Sequence, residues 1–306
     1  MLAPEQAELA PPPALLALGA DASTPVRHGG TAPFDTRAWW TAVCRTHHPA
    51  EPRFTPFGSL MSADELAQLI LSAPATVEWP VVTLDHQPSQ DILIGSGKPI
   101  PTPKGWRFPA GALKDAISLW RSVEGDLVPK PSDILQAGWT GQWVTEVAPA
   151  YFRPIAGPAT GPEWDAEVST LARMGAIKPY TLDRLRSEGP PVVVNPTFLT
   201  EDNRPIDDMR YPNLGLEPPY FRPDSLSALL GALSPSCVVS MQDIKAGWMH
   251  IPYGQWHARH TAFVHKGVIW SFETLAFGDA SAPWVFVHLT RVLKRYLVSR
   301  GIWFWI

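Results

Sequence analysis

Cysteine is nearly absent: Cys44 and Cys237 are the only 2 in 306 residues. So few thiols cannot build a disulfide framework, which makes a reducing compartment the default. No run approaches the roughly 20 consecutive apolar residues of a membrane-spanning helix. The N-terminal stretch MLAPEQAELAPPPALLALGA carries Glu5 and Glu8 where a secretory signal would carry Lys or Arg. A soluble intracellular protein, in cytoplasm or nucleus and away from membranes, is expected. A surplus of positive charge is also missing. The formal net charge is -4, which argues against non-specific capture of nucleic acid by the whole molecule, because that mode depends on neutralising phosphates. A local basic surface remains compatible. Zinc lacks support as well, since Cys44-Arg-Thr-His47-His48 has no second cysteine nearby to complete a ligand set. Gly95-Ser-Gly-Lys98 lacks the glycine spacing of a Walker loop and reads as a turn.

Proline and apolar residues are plentiful. The 34 prolines are about twice the usual share of roughly 5%, and most precede residue 200. Residues 1 to about 60 read as mostly disordered, and residues 1-150 as a Pro-rich, largely irregular upstream region with short helices. Hydrophobic residues make up 45% of the chain, enough for a sizeable core.

Ser62-Ala-Asp-Glu65 is a capping box opening a helix that Pro74 stops, with Leu66, Leu69 and Ile70 at helical spacing. A helix is predicted over 110-123 with Leu113, Ile117 and Trp120 inward, and another over 163-176 with Trp164, Val168, Leu171 and Met174 inward. Gly175 closes the latter and Ile177-Lys-Pro179 turns away. Residues 191-200 have the β-branched and aromatic content of a strand. Pro223-Asp-Ser-Leu opens a helix whose apolar face is Leu226, Leu229, Leu230 and Leu233, and residues 237-244 form a buried strand ending near Asp243. A carboxylate there calls for a counter-ion such as a divalent metal. A hairpin turns at His265-Lys-Gly267, and Pro283 sits in the first turn of a last helix reaching Arg300.

This series of elements, from residue 151 to 306, resembles the fingers and palm of a reverse transcriptase, above all retrotransposon enzymes of the gypsy-like and DIRS-like classes. Leu171-Ala-Arg-Met-Gly-Ala-Ile-Lys178 resembles the family's entry helix ending in Gly-Ala-Ile. Arg204-Pro-Ile-Asp-Asp-Met-Arg210-Tyr-Pro-Asn213 resembles its Arg-x-x-x-Asp-x-Arg-x-x-Asn signature, and Leu275-Ala-Phe-Gly278-Asp-Ala-Ser-Ala-Pro283 its Leu-Pro-Phe-Gly-x-x-x-Ala-Pro motif. The resemblance implies an α+β fold, a small antiparallel sheet packed on helices, with an incomplete palm. It implies that Arg204 contacts the incoming triphosphate, as a bidentate phosphate donor. It implies further that Asp243 is a catalytic, Mg²⁺-binding carboxylate, and that Ile244, Trp248, Phe277 and Gly278 belong to the nucleotide pocket. Asp208 and Arg210 are expected to brace the fingers by pairing with each other or with neighbouring backbone. Partners would be an RNA or DNA template-primer and deoxynucleotide triphosphates.

Several positions depart from the family pattern. Ala276 replaces a proline, Trp248 stands where relatives carry Tyr or Phe, and Thr200-Glu-Asp-Asn203 lacks a lysine that often assists the arginine. The Tyr-x-Asp-Asp motif with the second pair of metal-binding aspartates would begin where Ile306 ends the sequence. Two-metal nucleotidyl transfer needs several carboxylates, so this polypeptide on its own is expected to lack polymerase activity.

Plainer readings stand beside these. On spacing alone Asp243 is a strand-end cap or ion-pair partner, Trp248 is core, and Arg204 is a surface ion pair; the order of motifs favours the functional roles. His250, His257, His260 and His265 match no recurrent zinc pattern and read as structural or surface. Arg291, Lys294, Arg295 and Arg300 read as a solvated face near a helix C-terminus. The rival function is a non-catalytic nucleic-acid-binding or assembly module retained from a retroelement, for which Trp139, Trp143 and Trp164 offer aromatic surface with few cations nearby.

Overall fold

The computed structural model describes residues 54-72, 100-102, 105-154, 161-200, 205-233, 238-239, 244 and 246-302. Asp243, Arg204, the Cys44 to His48 segment and the Gly95 to Lys98 turn lie outside them.

In chain order, β1 (Phe54–Thr55) and β2 (Gly58–Ser59) form a small hairpin before α1 (Ala63–Leu71). Residues 54-60, expected to be disordered, are therefore structured; Leu60 bridges to Phe152, which ties the hairpin to the main body. The capping box closes as expected, since Ser62 Oγ accepts from Glu65 N and Glu65 from Ser62 N. After the β3 (Ile100–Thr102) and β4 (Gly105–Arg107) pair, a tight turn over Ala112–Ala116 runs into α2 (Ile117–Val123), and α3 spans Pro131–Ala137.

The central sheet holds β5 (Ala150–Tyr151), β6 (Ile177–Pro179), β7 (Val193–Asn195), β10 (Ala262–His265) and β11 (Val268–Phe272), in the order β5-β7-β10-β11-β6. The expected sheet was antiparallel. The observed one is mixed: β5 and β10 both run parallel to β7, while β11 is antiparallel to β10 and β6. Parallel neighbours need crossover connections, here α4 (Pro162–Met174) and α5 (Leu182–Glu188) between β5 and β7. Ile177-Lys-Pro179 does not turn away but pairs with β11 as an edge strand. The strand expected over 191-200 is split by Pro196, which has no N–H for a ladder; beyond it β8 (Thr197–Leu199) leaves the sheet and pairs with β9 (Pro205–Asp207) as a separate ribbon.

Side chains of the sheet alternate between two layers. Phe263, Trp270 and Phe272 face α4, α3 and the long C-terminal helix, meeting Trp164, Val168, Leu171, Leu135 and Leu289. Ala262, Ile269 and Val194 face the other way, onto Leu66 and Ile70 of α1 and Leu185 of α5. Residues on both sides of position 150 thus share each core layer. Helix α6 (Leu226–Ala232) opens where expected, with Ser225 as its cap, but of the apolar face predicted for it Leu230 is 60% and Leu233 38% exposed. Val238, Val239 and Ile244, expected in a buried strand, are 97%, 64% and 47% exposed, because no strand of the described sheet runs beside them. The tight turn Gly247–His250 and α7 (Gln255–Ala258) lead into β10, and α8 (Ala282–Ser299) is the last described element.

Candidate functional site

The sequence signature ending at Asn213 and the turn Leu275 to Ser281 before α8 meet at one place. Asp207, last residue of β9, donates its N–H to Phe277 O at 3.0 Å. Asn213 then grips the turn with both ends of its amide: Nδ2 donates to Gly278 O at 2.9 Å, and Oδ1 accepts from Ala280 N at 3.1 Å. Gly278 has φ of +109°, and a Cβ there would lie 1.9 Å from Asp207 O. Only glycine permits this approach. Beside the junction opens a cleft of about 420 Å³ lined by Phe198, residues 206-210, Asn213 and Gly278. Of its two acids, Asp208 is paired, because Arg210 donates twice to its carboxylate, Nε and Nη2 both at 2.7 Å, while Asp207 is buried.

Behind the cleft lies a buried polar network. Asp279 accepts from Tyr253 Oη at 2.6 Å and from Ser281 N and Oγ, each at 2.7 Å; His257 Nε2 lies 2.9 Å from its carboxylate. Burial alone would raise this acid, but attraction to His257 and the hydrogen bonds from His257, Tyr253 and Ser281 outweigh it, and the group is pulled down to about 2. Tyr253 Oη also accepts from Ala276 N at 2.9 Å, so one phenol braces both ends of the turn. Burial, then the Asp279 charge, push that phenol well up. Asp207 is fully buried and behaves oppositely: desolvation, then Asp208, push its carboxyl well above the ordinary range, against a lowering hydrogen bond from Asn195.

The nucleotide-pocket residues expected from sequence fall in two groups. Trp248 stacks on Phe277 with ring centroids 5.0 Å apart and on Phe286 at 6.4 Å. Gly278 thus lines the cleft next to an aromatic wall made by Trp248 and Phe277. Ile244 stands at its exposed end, its carbonyl accepting from Gly247 N at 3.1 Å. Asp208 and Arg210 pair as expected. The histidines read as structural: His257 belongs to the Asp279 network and His260 is buried under Trp143, with ring centroids 4.2 Å apart. Of the aromatics considered for single-strand binding, Trp139 and Trp164 are buried in the core, and Trp143, half-buried, packs on His257 and His260. Sequence reasoning missed Asp279, Tyr253 and the burial of Asp207. The available signal for Asp279 was an acid three residues before the start of a helix, where its carboxylate accepts from the N–H of Ser281, the residue that precedes α8.

Among the described residues no group of three or more His, Cys, Asp or Glu side chains is placed to hold a metal ion, so a metal site finds no support from them and Mg²⁺ at Asp243 rests on the resemblance alone. Among the described residues, too, no helix is long and apolar enough to cross a membrane.

No family model and no curated protein matches the chain. Among solved structures, the foamy viral protease-reverse transcriptase in complex with double-stranded DNA is similar over 66% of this chain and 37% of its own length, at 14% identity and a TM-score of 0.41. The foamy viral protease-reverse transcriptase in complex with an RNA/DNA hybrid matches over 61% of this chain and 27% of its own, at 14% identity and 0.38. The native prototype foamy virus protein matches over 62% and 27%, at 15% identity and 0.37. The chain thus spans well under half the length of each. At such identities and scores the likeness fixes neither a family nor an activity.

Proposed function

We propose that the chain is the fingers and part of the palm of a retroelement reverse transcriptase, gypsy-like or DIRS-like, and that its cleft handles a primer-template and an incoming deoxynucleotide triphosphate. One observation carries the reading. Two motifs that the resemblance names separately, 65 residues apart at Asn213 and Gly278, are clasped by a single amide at the edge of one cleft. Beside that clasp the two segments also meet backbone to backbone, where Asp207 N–H donates to Phe277 O.

In this reading Arg204 binds the triphosphate and the Trp248–Phe277 wall receives the sugar. Asp243 would hold Mg²⁺, which supplies charge stabilisation to phosphoryl transfer when bound. Gly278 lets the wall lie close to β9, and Arg210, already paired with Asp208, orders the cleft rim rather than attracting phosphate by itself. Whether nucleotidyl transfer is retained is decided by experiment. Fluorescence anisotropy with an RNA–DNA primer-template should show binding that weakens with salt and with Arg204→Ala. Mg²⁺-dependent incorporation lost in Asp243→Ala would establish a polymerase. Binding without incorporation would establish the non-catalytic module, and no binding in low salt would overturn both.

A further inference from the structure

The interior side of β9 carries an arrangement that the cleft reading does not use. Asn195 Nδ2 donates to Asp207 Oδ2 at 3.2 Å and to His260 O at 2.8 Å. The other oxygen of each side chain, Asn195 Oδ1 and Asp207 Oδ1, is buried without a hydrogen-bond partner. Two orphaned acceptors on side chains already bonded to each other are costly, about 1–3 kcal/mol apiece. A proton on Asp207 Oδ1 would turn that oxygen from an acceptor into a donor, and the carbonyl end of the same amide is an acceptor that lacks one.

We propose that Asp207 is held as a neutral carboxylic acid in a reciprocal pair with the Asn195 amide, and that its proton is a pH-sensitive latch holding β9 beneath the Phe277–Gly278 turn. The surrounding charges point the same way. Asp208 adjoins it on the chain and is tied to Arg210; Asp279 faces it from the turn, with Tyr253 and His257 bound to that carboxylate. His260 offers Asn195 only its carbonyl, and burial, then His257, push its imidazole down to about 3. Among the described residues no Lys or Arg bonds to Asp207. Ionisation would leave a fully buried anion between two other carboxylates, on the residue whose N–H binds Phe277 O and whose carbonyl lies under Gly278. The direction of the acid's shift agrees with this geometry.

The latch holds or fails whatever the cleft binds. The test is ¹³C NMR of the full chain labelled at the aspartate carboxyl carbons and titrated with pH, with Asp207→Asn identifying the resonance. An amide at 207 forms the same reciprocal pair at every pH, so the variant should lose the pH dependence. Expected results are a resonance that titrates above the ordinary carboxylate range of about 4, and a wild-type folding equilibrium constant that falls, relative to the variant, about tenfold per pH unit between that range and the native value. A resonance titrating near 4, as for an ionised acid bridged by water, overturns the proposal, as do parallel stability profiles. If the variant does not fold, infrared spectra of the labelled wild type near neutral pH decide it: the carbonyl band of an un-ionised acid is expected, and its absence refutes the latch.

Discussion

Gly278→Ala places a methyl group where the turn touches β9, and the consequence can be separated into parts. The backbone φ of +109° is unfavourable for any L side chain, and the new Cβ would stand 1.9 Å from Asp207 O. The conformational part costs about 1–2 kcal/mol. The overlap cannot be relieved by a side-chain rotation, because the obstacle is backbone; shifting the turn or the strand adds about 1–3 kcal/mol, as overpacking does elsewhere. A total of roughly 2–5 kcal/mol is expected. Gly175→Ala is the control, with φ of +76° and nothing within 4 Å of its Cβ. It should lose only the conformational part. Urea denaturation followed by circular dichroism measures both, and the Gly278 variant should unfold at a midpoint lower by roughly 1–2 M. Equal losses in the two variants would refute the close approach of turn and strand.

Asn213→Ala removes both bonds of the clasp and should cost about 1–3 kcal/mol, with a change in the ¹⁹F resonance of fluorinated Trp248 reporting the displaced wall. Tyr253→Phe unbraces Ala276 N and Asp279 together, and faster amide exchange at Ala276 in the folded protein would reveal it. Asp279 is depressed to about 2, so its contribution, on the order of 2 kcal/mol, is present above the unfolded value of about 4 and is lost as pH falls toward the folded one. The stability gap between wild type and Asp279→Asn should therefore narrow on acidification from about pH 6 to about pH 2, and a constant gap would count against the network.

Local chemistry was well legible in the sequence. The Ser62–Glu65 box, the Gly175 stop, the Lys266–Gly267 hairpin turn and Pro283 in the first turn of α8 all act through neighbours within a few residues, and each stands where the pattern put it. What escaped depends on distant partners. β6 is only three residues long and becomes a strand because β11 lies beside it. The parallel pairing of β7 with β10 leaves no trace in alternation, and the split at Pro196 shows how one missing donor redirects a β-rich run. At the site, the motif order singled out Trp248 and Phe277, which stack together, and Gly278, which lines the cleft. It gave no hint that Asp207 faces inward, because Asp-Asp in a polar signature looks like solvent-exposed charge, or that Tyr253 and His257 converge on Asp279.

The contact between the stretch after α3 and the start of α8 bears on how the chain folds. Trp139 Nε1 donates to Ser281 Oγ across 142 residues, and the Trp139 ring lies against Trp284. His288 of α8 reaches Pro129 O across 159 residues. The main core therefore cannot close until nearly the whole described chain has emerged from the ribosome, and contacts this distant in sequence belong to slow folding with a large loop-closure cost. Folding rate should accordingly be sensitive to Trp139→Phe, which stopped-flow refolding would detect if that contact forms before the rate-limiting step. A polypeptide beginning near residue 151 would retain every recognised motif and yet leave Trp284 without the indole that covers it.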